Sequence, residues 1–337
     1  MKITLSATQK QQIDLLITKL QQAFSSTESE DFLCECQLES ANLPKSLRKH
    51  FYELRTQIHK SGFFLLEGFD VDDNKIGETP QHWDTSWENN STLREEIFQC
   101  LISCSLGEPF GWNTQENGRV LRNIVPIEAD KNEQLGGSSS VPLFWHIEEA
   151  FHPHRAEMMT IMCYRNNERA GTNICSITQM NIPEQYLIIL KQPRFLIEPD
   201  KSHFPENNKS KHWELQSEEF LKIKSFLLNP APAPVISGPE GHERLVIDQA
   251  FMSAVDGDKE ATEALEWLYQ HMDEVRTTVQ MNPGDVVFLD NRRVAHGRAI
   301  YKPNYGPQAR WLRRINIAAD LTKSFEWKKA PYARKIL

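Results

Sequence analysis

The spacing of hydrophobic positions changes along this chain from helical to strand-like. Over residues 5–24 apolar side chains recur at helical intervals, with Ile13, Leu16, Ile17 and Leu20 on one face and Ser6 or Thr8 placed as N-cap. Glu28 to Asp31 is acidic and reads as loop, and Leu47 to His59 reads as a second helix. Gly62-Phe63-Phe64-Leu65-Leu66-Glu67-Gly68-Phe69 is a glycine-bounded apolar run, the pattern of a buried strand. The turn-rich stretch Asp70 to Gln81 separates it from a third helix over Leu93 to Leu106.

From Phe110 onward strands dominate. Arg119 to Pro126 is a strand ended by proline, and a polar loop rich in glycine and serine (residues 127–140) leads into the run Val141 to Trp145. Met158 to Tyr164, Thr172 to Ile177, Arg244 to Asp248, Val286 to Leu289 and Arg310 to Ile317 follow as strands. Pro183 to Leu190 and Ala261 to Val275 are helices set among them. Residues 198–216, polar around His203, fit either a solvated loop or a lid over a site. With no internal repeat and no linker, 1–337 reads as one domain, a helical extension (1–60) on a larger core (61–320). The fold class is mainly β with flanking helices.

Composition narrows the function. An apolar fraction of 39%, with 8 Trp and 17 Phe, is enough for a sizeable core, and a net charge of −8 argues against a nucleic-acid groove. The first ten residues lack the apolar centre of a signal peptide, and no run approaches the roughly 18 apolar residues of a membrane span. The six cysteines show neither CxxC pairing nor the density of a disulfide framework, and Cys100 and Cys104 sit at helical spacing as buried thiols. A soluble cytoplasmic protein with no membrane partner is expected.

Chemistry concentrates at two places. In Phe144-Trp145-His146-Ile147-Glu148 the imidazole and carboxylate stand two residues apart, so on an extended backbone they project to the same side. The pair supplies two of the three ligands of a 2-His-1-carboxylate triad, the set that leaves non-heme Fe(II) with open positions. By itself His-x-Glu is a short pattern that arises by chance. A second element adds to it: Pro283-Gly284-Asp285 turns into an apolar strand, and His296 follows at its far end. Arg310 and Arg314 then share one face of the next strand, about 13 Å apart at strand rise, opposite Trp311 and Ile315. Each is either a surface charge or a bidentate carboxylate receptor.

His146-x-Glu148, His296 and Arg310 together resemble the Fe(II)/2-oxoglutarate-dependent oxygenases of the clavaminate synthase-like, TauD/TfdA-related branch. The likeness is closest to the free amino acid hydroxylases. It extends through Gly136-Gly137-Ser138-Ser139-Ser140, Trp145 to Pro153, Asn123-Ile124-Val125-Pro126 and Arg310-Trp311-Leu312-x-Arg314, over roughly residues 60–320. The resemblance implies a double-stranded β-helix, a cupin-like jelly-roll core. It implies that His146, Glu148 and His296 hold the iron and that Arg310 takes the distal carboxylate of 2-oxoglutarate, with Thr172 beside that cosubstrate. O2 is the other cosubstrate. Arg314 would receive the α-carboxylate of a free amino acid, and Glu148 would also meet its amino group.

Two departures bear on the substrate. Asp248 matches the first of two acids that grip a guanidinium in the arginine hydroxylases of this branch, but Ala250 stands where the second is expected. Arg122 stands where a neutral amide is expected to meet the substrate. A basic amino acid of lysine or arginine type is favoured, with citrulline or asparagine as the uncharged alternative. Asp248 also fits a purely local role, capping the turn that follows it. Glu148 keeps its coordination position occupied, which favours hydroxylation over halogenation, with desaturation or cyclisation as alternative outcomes. A cupin-like protein that binds metal without turnover, or an oxygenase of peptides, are the rival classes; Arg310 speaks against the first and Arg314 against the second.

Overall fold

The computed structural model describes residues 1–58, 60–82, 90–134, 136–137, 140–204, 218–228 and 230–336. A short strand, β1 (Lys2–Thr4), precedes α1 (Ala7–Ala23), which starts at Ser6 in a reciprocal capping box with Gln9. The acidic stretch expected to be loop instead opens α2 (Glu30–Glu39). The Ser29 hydroxyl caps it, and Glu30 and Asp31 lie at the positive end of the helix dipole. α3 (Lys45–Arg55) ends short of its predicted limit because Gln57 turns the backbone at φ 64°. His59 lies outside the described residues.

The remaining elements follow in order: β2 (Phe63–Glu67), α4 (Leu93–Cys104), β3 (Glu108–Trp112), β4 (Leu121–Ile124), β5 (Leu143–His146), β6 (Met158–Arg165) and β7 (Gly171–Ser176). Then come α5 (Glu184–Leu190), β8 (Phe195–Ile197), α6 (Glu218–Leu228), β9 (Ile236–Ser237), β10 (Arg244–Leu245), β11 (Met252–Ala254) and α7 (Lys259–Val275). The last elements are β12 (Thr277–Gln280), β13 (Val286–Asp290), β14 (Val294–Arg298), β15 (Trp311–Ala318) and β16 (Lys335–Ile336). The strand expected to reach Asp248 stops at Leu245, and β1, which pairs in parallel with β2, makes the N-terminal segment part of a sheet rather than purely helical. Of the polar segment 198–216, Lys201–His203 form one helical turn with His203 fully buried; residues 205–216 lie outside the described residues.

Two sheets organise these strands. The larger runs β1-β2-β13-β6-β15-β3-β16 with β4 also on β15, and the smaller runs β12-β7-β14-β5. Because side chains alternate across a strand, each strand feeds two cores. Phe63, Leu65, Met159, Ile161, Val287, Leu289 and Leu312 meet Ile174 and Val294 between the sheets. Their neighbours Phe64, Leu66, Met158, Met162, Phe288 and Ile315 pack outward with residues of α1 to α4. On the other side, Trp145, Cys175 and Ala295 cluster with α5 and α7. Burial on both faces is why these strands read as continuous apolar runs. Among the described residues no helix is long and apolar enough to cross a membrane, and all six cysteines are free thiols.

A buried ion pair crosses the outer core. Arg313, fully buried on β15, donates from Nη1 to Glu96 on α4 at 2.5 Å and from Nε to Asn123 on β4 at 2.9 Å. Glu96 also accepts from Thr92 and Thr27, and the guanidinium lies over the Tyr164 and Trp311 rings. Burial alone would raise the Glu96 carboxyl, but Arg313 together with the Thr92 and Thr27 hydroxyls outweighs it and holds it below its ordinary value. The pair's contribution is therefore complete above the unfolded carboxyl value of about 4.3 and is lost as pH falls through the folded one. Arg313→Met strands Glu96 without its cation and should cost about 3–5 kcal/mol in urea unfolding. Adding Glu96→Gln should recover part of it. A single variant as stable as wild type would remove this pair from the account of stability.

Candidate active site

The site starts from a strand pairing. β5 and β14 are antiparallel neighbours in which His146 and His296 are direct register partners, their ring centroids 4.3 Å apart. Gly297 permits the approach, since a Cβ there would lie 2.6 Å from the Leu143 carbonyl oxygen. Glu148, two residues past His146, brings Oε1 to 3.1 Å from His296 Nε2 and 3.8 Å from His146 Nε2. One ligand atom from each of the three lies within 4.8 Å of the others. The Phe144 carbonyl accepts from His146 Nδ1 at 2.8 Å, which leaves the Nε2 lone pair facing Glu148.

Asn291, in the turn after β13, holds the Glu148 backbone from both ends. Its Oδ1 accepts from the Glu148 N–H at 2.9 Å, and its Nδ2 donates to the Glu148 carbonyl at 3.2 Å and the Ala156 carbonyl at 2.9 Å. Burial, then the neighbouring His296, push His146 down to about 4, so it is neutral at neutral pH. Burial would raise the Glu148 carboxyl, but Arg314 and then His296 outweigh it and hold it well below the usual range. Two imidazole nitrogens and one carboxylate form a donor set that fits Fe(II) with positions to spare.

Beside this set lies a cavity of about 400 Å³ between the sheets. Arg310, Leu312 and Arg314 line it from one face of β15 and the residue before it, as the alternation predicts, while Trp311 and Ile315 pack toward the helices. Arg310 is only 4% exposed; its Nε has no hydrogen-bond partner and it forms no ion pair among the described residues. A buried guanidinium left in this state fits the free carboxylate of a bound diacid. Thr172 is buried on the opposite sheet, in register with Arg298, and both line the cavity. Burial, then Arg310, push Arg298 down to about 10. Sequence reading missed Arg298 as a site residue, although its place two residues after His296 puts it on the same strand face.

The other end of the cavity is mixed in charge. Arg314 pairs with Glu148, and Arg122 with Glu116 at 3.1 Å and with Gln115. So Arg314, expected to meet a substrate carboxylate, here faces the carboxylate of a ligand candidate. Asp248 takes the local role and also faces the cavity. It caps the following turn, with Oδ1 accepting from the Ala250 and Phe251 N–H groups at 3.1 and 3.2 Å, and it lines the cavity. An isolated bridge to His146 fixes its position. Burial, then the Asp200 charge, push its carboxyl well above the ordinary value, and it has no cationic partner among the described residues. Glu149, Asp200 and Asn291 were not foreseen; they lie on loops and turns, where periodicity carries no signal.

Comparison with known proteins agrees with this geometry. A profile of the family described as taurine catabolism dioxygenase TauD, TfdA matches residues 204–316. The sequence is 35% identical over 329 residues to the enduracididine β-hydroxylase of Streptomyces hygroscopicus, covering 96% of each. It is 33% identical over 304 residues to the L-ornithine/L-arginine 3-hydroxylase of Catenulispora acidiphila, covering 89% of this protein and 88% of the relative. The crystal structure of the non-heme iron oxygenase OrfP with Fe, succinate and (3S)-hydroxy-L-Arg superposes with a TM-score of 0.92 at 29% identity, covering 100% of both proteins. OrfP with Fe and α-ketoglutaric acid gives 0.87 at 28% identity over 100% of this protein and 99% of that one.

Asn291→Ala removes the support under Glu148 while leaving all three donor side chains in place. It should weaken Fe(II) binding by about 10- to 100-fold, as loss of an outer contact to a metal ligand does, measured by chelator competition. Unchanged metal affinity would show that the Glu148 loop holds its geometry without Asn291.

Proposed function

The protein belongs to the TauD, TfdA family of Fe(II)/2-oxoglutarate-dependent dioxygenases, and we propose that it hydroxylates an unactivated C–H bond in the side chain of a free basic L-amino acid. Its cofactors are Fe(II) and 2-oxoglutarate. We assign the iron to His146, Glu148 and His296, the distal carboxylate of 2-oxoglutarate to Arg310 with Thr172 nearby, and the substrate to Arg314, Arg122 and Asp248. We also read the two facing sheets as a double-stranded β-helix core over residues 61–320 of one domain. Cytoplasmic placement is proposed on the six free thiols.

One observation carries the substrate assignment. The cavity that holds the triad also presents, across from His146, a half-buried acid without a cation among the described residues, Asp248. A protonated amine or guanidinium supplies that missing partner, and two relatives above 30% identity are named for hydroxylating enduracididine and ornithine or arginine. The iron, when bound, couples oxidative decarboxylation of 2-oxoglutarate by O2 to hydroxylation of the substrate. The residues do the rest. Arg310 anchors the cosubstrate, Asp248 fixes the far end of the substrate and so the depth of its target carbon, and the apolar wall of Ile161 and Leu312 excludes water. Ala250 favours one further reading, an uncharged side chain such as that of citrulline, because only one of two expected acids is present there.

Arg310→Ala should raise the apparent KM for 2-oxoglutarate by a factor corresponding to about 2–5 kcal/mol, with Fe(II) affinity kept. An unchanged KM would move the cosubstrate clamp elsewhere. Succinate release across lysine, arginine, citrulline and asparagine tests the substrate class. Asp248→Asn should weaken a basic substrate by about tenfold or more, the loss of one partner in a buried charge pair, and an uncharged one much less. Wild-type turnover of asparagine alone would end the basic-substrate reading.

A further inference from the structure

Glu149 directly follows Glu148 and carries the backbone through the left-handed region at φ 50°, which a residue with a Cβ adopts only when its surroundings hold it there. Its side chain lines the cavity and the residue is 4% exposed, yet neither carboxylate oxygen has a hydrogen-bond partner among the described residues. Oε1 stands 3.6 Å from Arg122 Nη1, 3.7 Å from Arg314 Nη2 and 3.8 Å from His203 Nε2. Each separation is beyond a hydrogen bond. Arg122 and Arg314 are register partners on β4 and β15, so their guanidinium groups stand side by side above this carboxylate.

We propose that Glu149 accepts the α-ammonium group of the substrate while Arg122 and Arg314 together take its α-carboxylate, which makes Glu149 the residue that selects an α-amino acid over its des-amino analogue. The assignment rests on the free amino acid reading above. A buried carboxylate without donors is costly, and an ammonium group brings three N–H donors with a full positive charge. The competing occupant is a second divalent cation, because Glu149, Asp200 and His203 offer three ligand atoms within 4.8 Å. The arginines decide between them. Two guanidinium groups at 3.6 and 3.7 Å from the same oxygen repel a dication, whereas a zwitterion brings its own carboxylate to face them.

The test compares wild type and Glu149→Gln, both loaded with Fe(II) and 2-oxoglutarate, on L-arginine, L-lysine, L-citrulline and L-asparagine and on the des-amino analogue of each. Succinate release and calorimetric binding are read together. Wild type should prefer the amino acid it uses over the des-amino analogue. Glu149→Gln should lose about tenfold or more of that preference, the scale of one charge-assisted hydrogen bond, through KM for the amino acid. Fe(II) affinity and KM for 2-oxoglutarate should not move, and Glu149→Asp should recover part of the preference. An unchanged preference in Glu149→Gln, or an equal loss on amino acid and analogue, overturns this assignment and leaves the hydroxylase reading standing. If wild type binds none of the four amino acids, that reading fails and takes the assignment with it. A second equivalent of Mn(II) bound by wild type and lost in Glu149→Gln assigns the cluster to a cation instead.

Discussion

The ion pair of Arg313 with Glu96 holds the strand on which the cavity depends. β15 carries alternate faces with opposite tasks: Arg310, Leu312 and Arg314 point into the cavity, and Trp311, Arg313 and Ile315 point toward the helices. A slip of one residue would exchange the faces entirely. Apolar packing alone discriminates weakly against such a slip, because both faces are buried and both hold arginines. Arg313 removes the ambiguity, since only one register places its guanidinium against Glu96 and Asn123. The N-terminal helices therefore bear on the site without touching it, through the position of Glu96 on α4.

The triad depends on a comparable constraint in the other sheet. Glu148 and His296 are 148 residues apart, and what joins them is the antiparallel pairing of β5 with β14. Rigid neighbouring strands aim both imidazoles, while the loop that carries Glu148 is tied to the turn before β14 by Asn291. Ligands presented by strands and locked by backbone contacts keep their geometry before any metal arrives.

Much of this was legible in the sequence where a period governs it. The two-residue spacing of His146 and Glu148, and the four-residue spacing of Arg310 and Arg314, state which side chains share a face once the segments are known to be strands. Family likeness gave His296 its role, since no local pattern announces its pairing with His146. Features set by single contacts were not legible. The acidic opening of α2 looks like a loop until the Ser29 cap is seen, and three-residue β1 is too short to show alternation. Asp248 offered two readings because a carboxylate with two oxygens can cap a turn and line a cavity at once. Glu149 gave no signal, since a left-handed backbone conformation is imposed by the packing around it.

The two sheets divide the site between them. His146, Glu148 and His296 all belong to the small sheet and the loop leaving it, whereas Arg310, Arg314 and Arg122 stand on or beside strands of the large one. The two groups already meet where Arg314 pairs with Glu148. A diacid or an amino acid reaching across to the second group spans the gap between the sheets and acts as a strut. Each organic ligand that enters thus adds a tie across the seam to the one Arg314 already makes, and the ties accumulate in the order of binding.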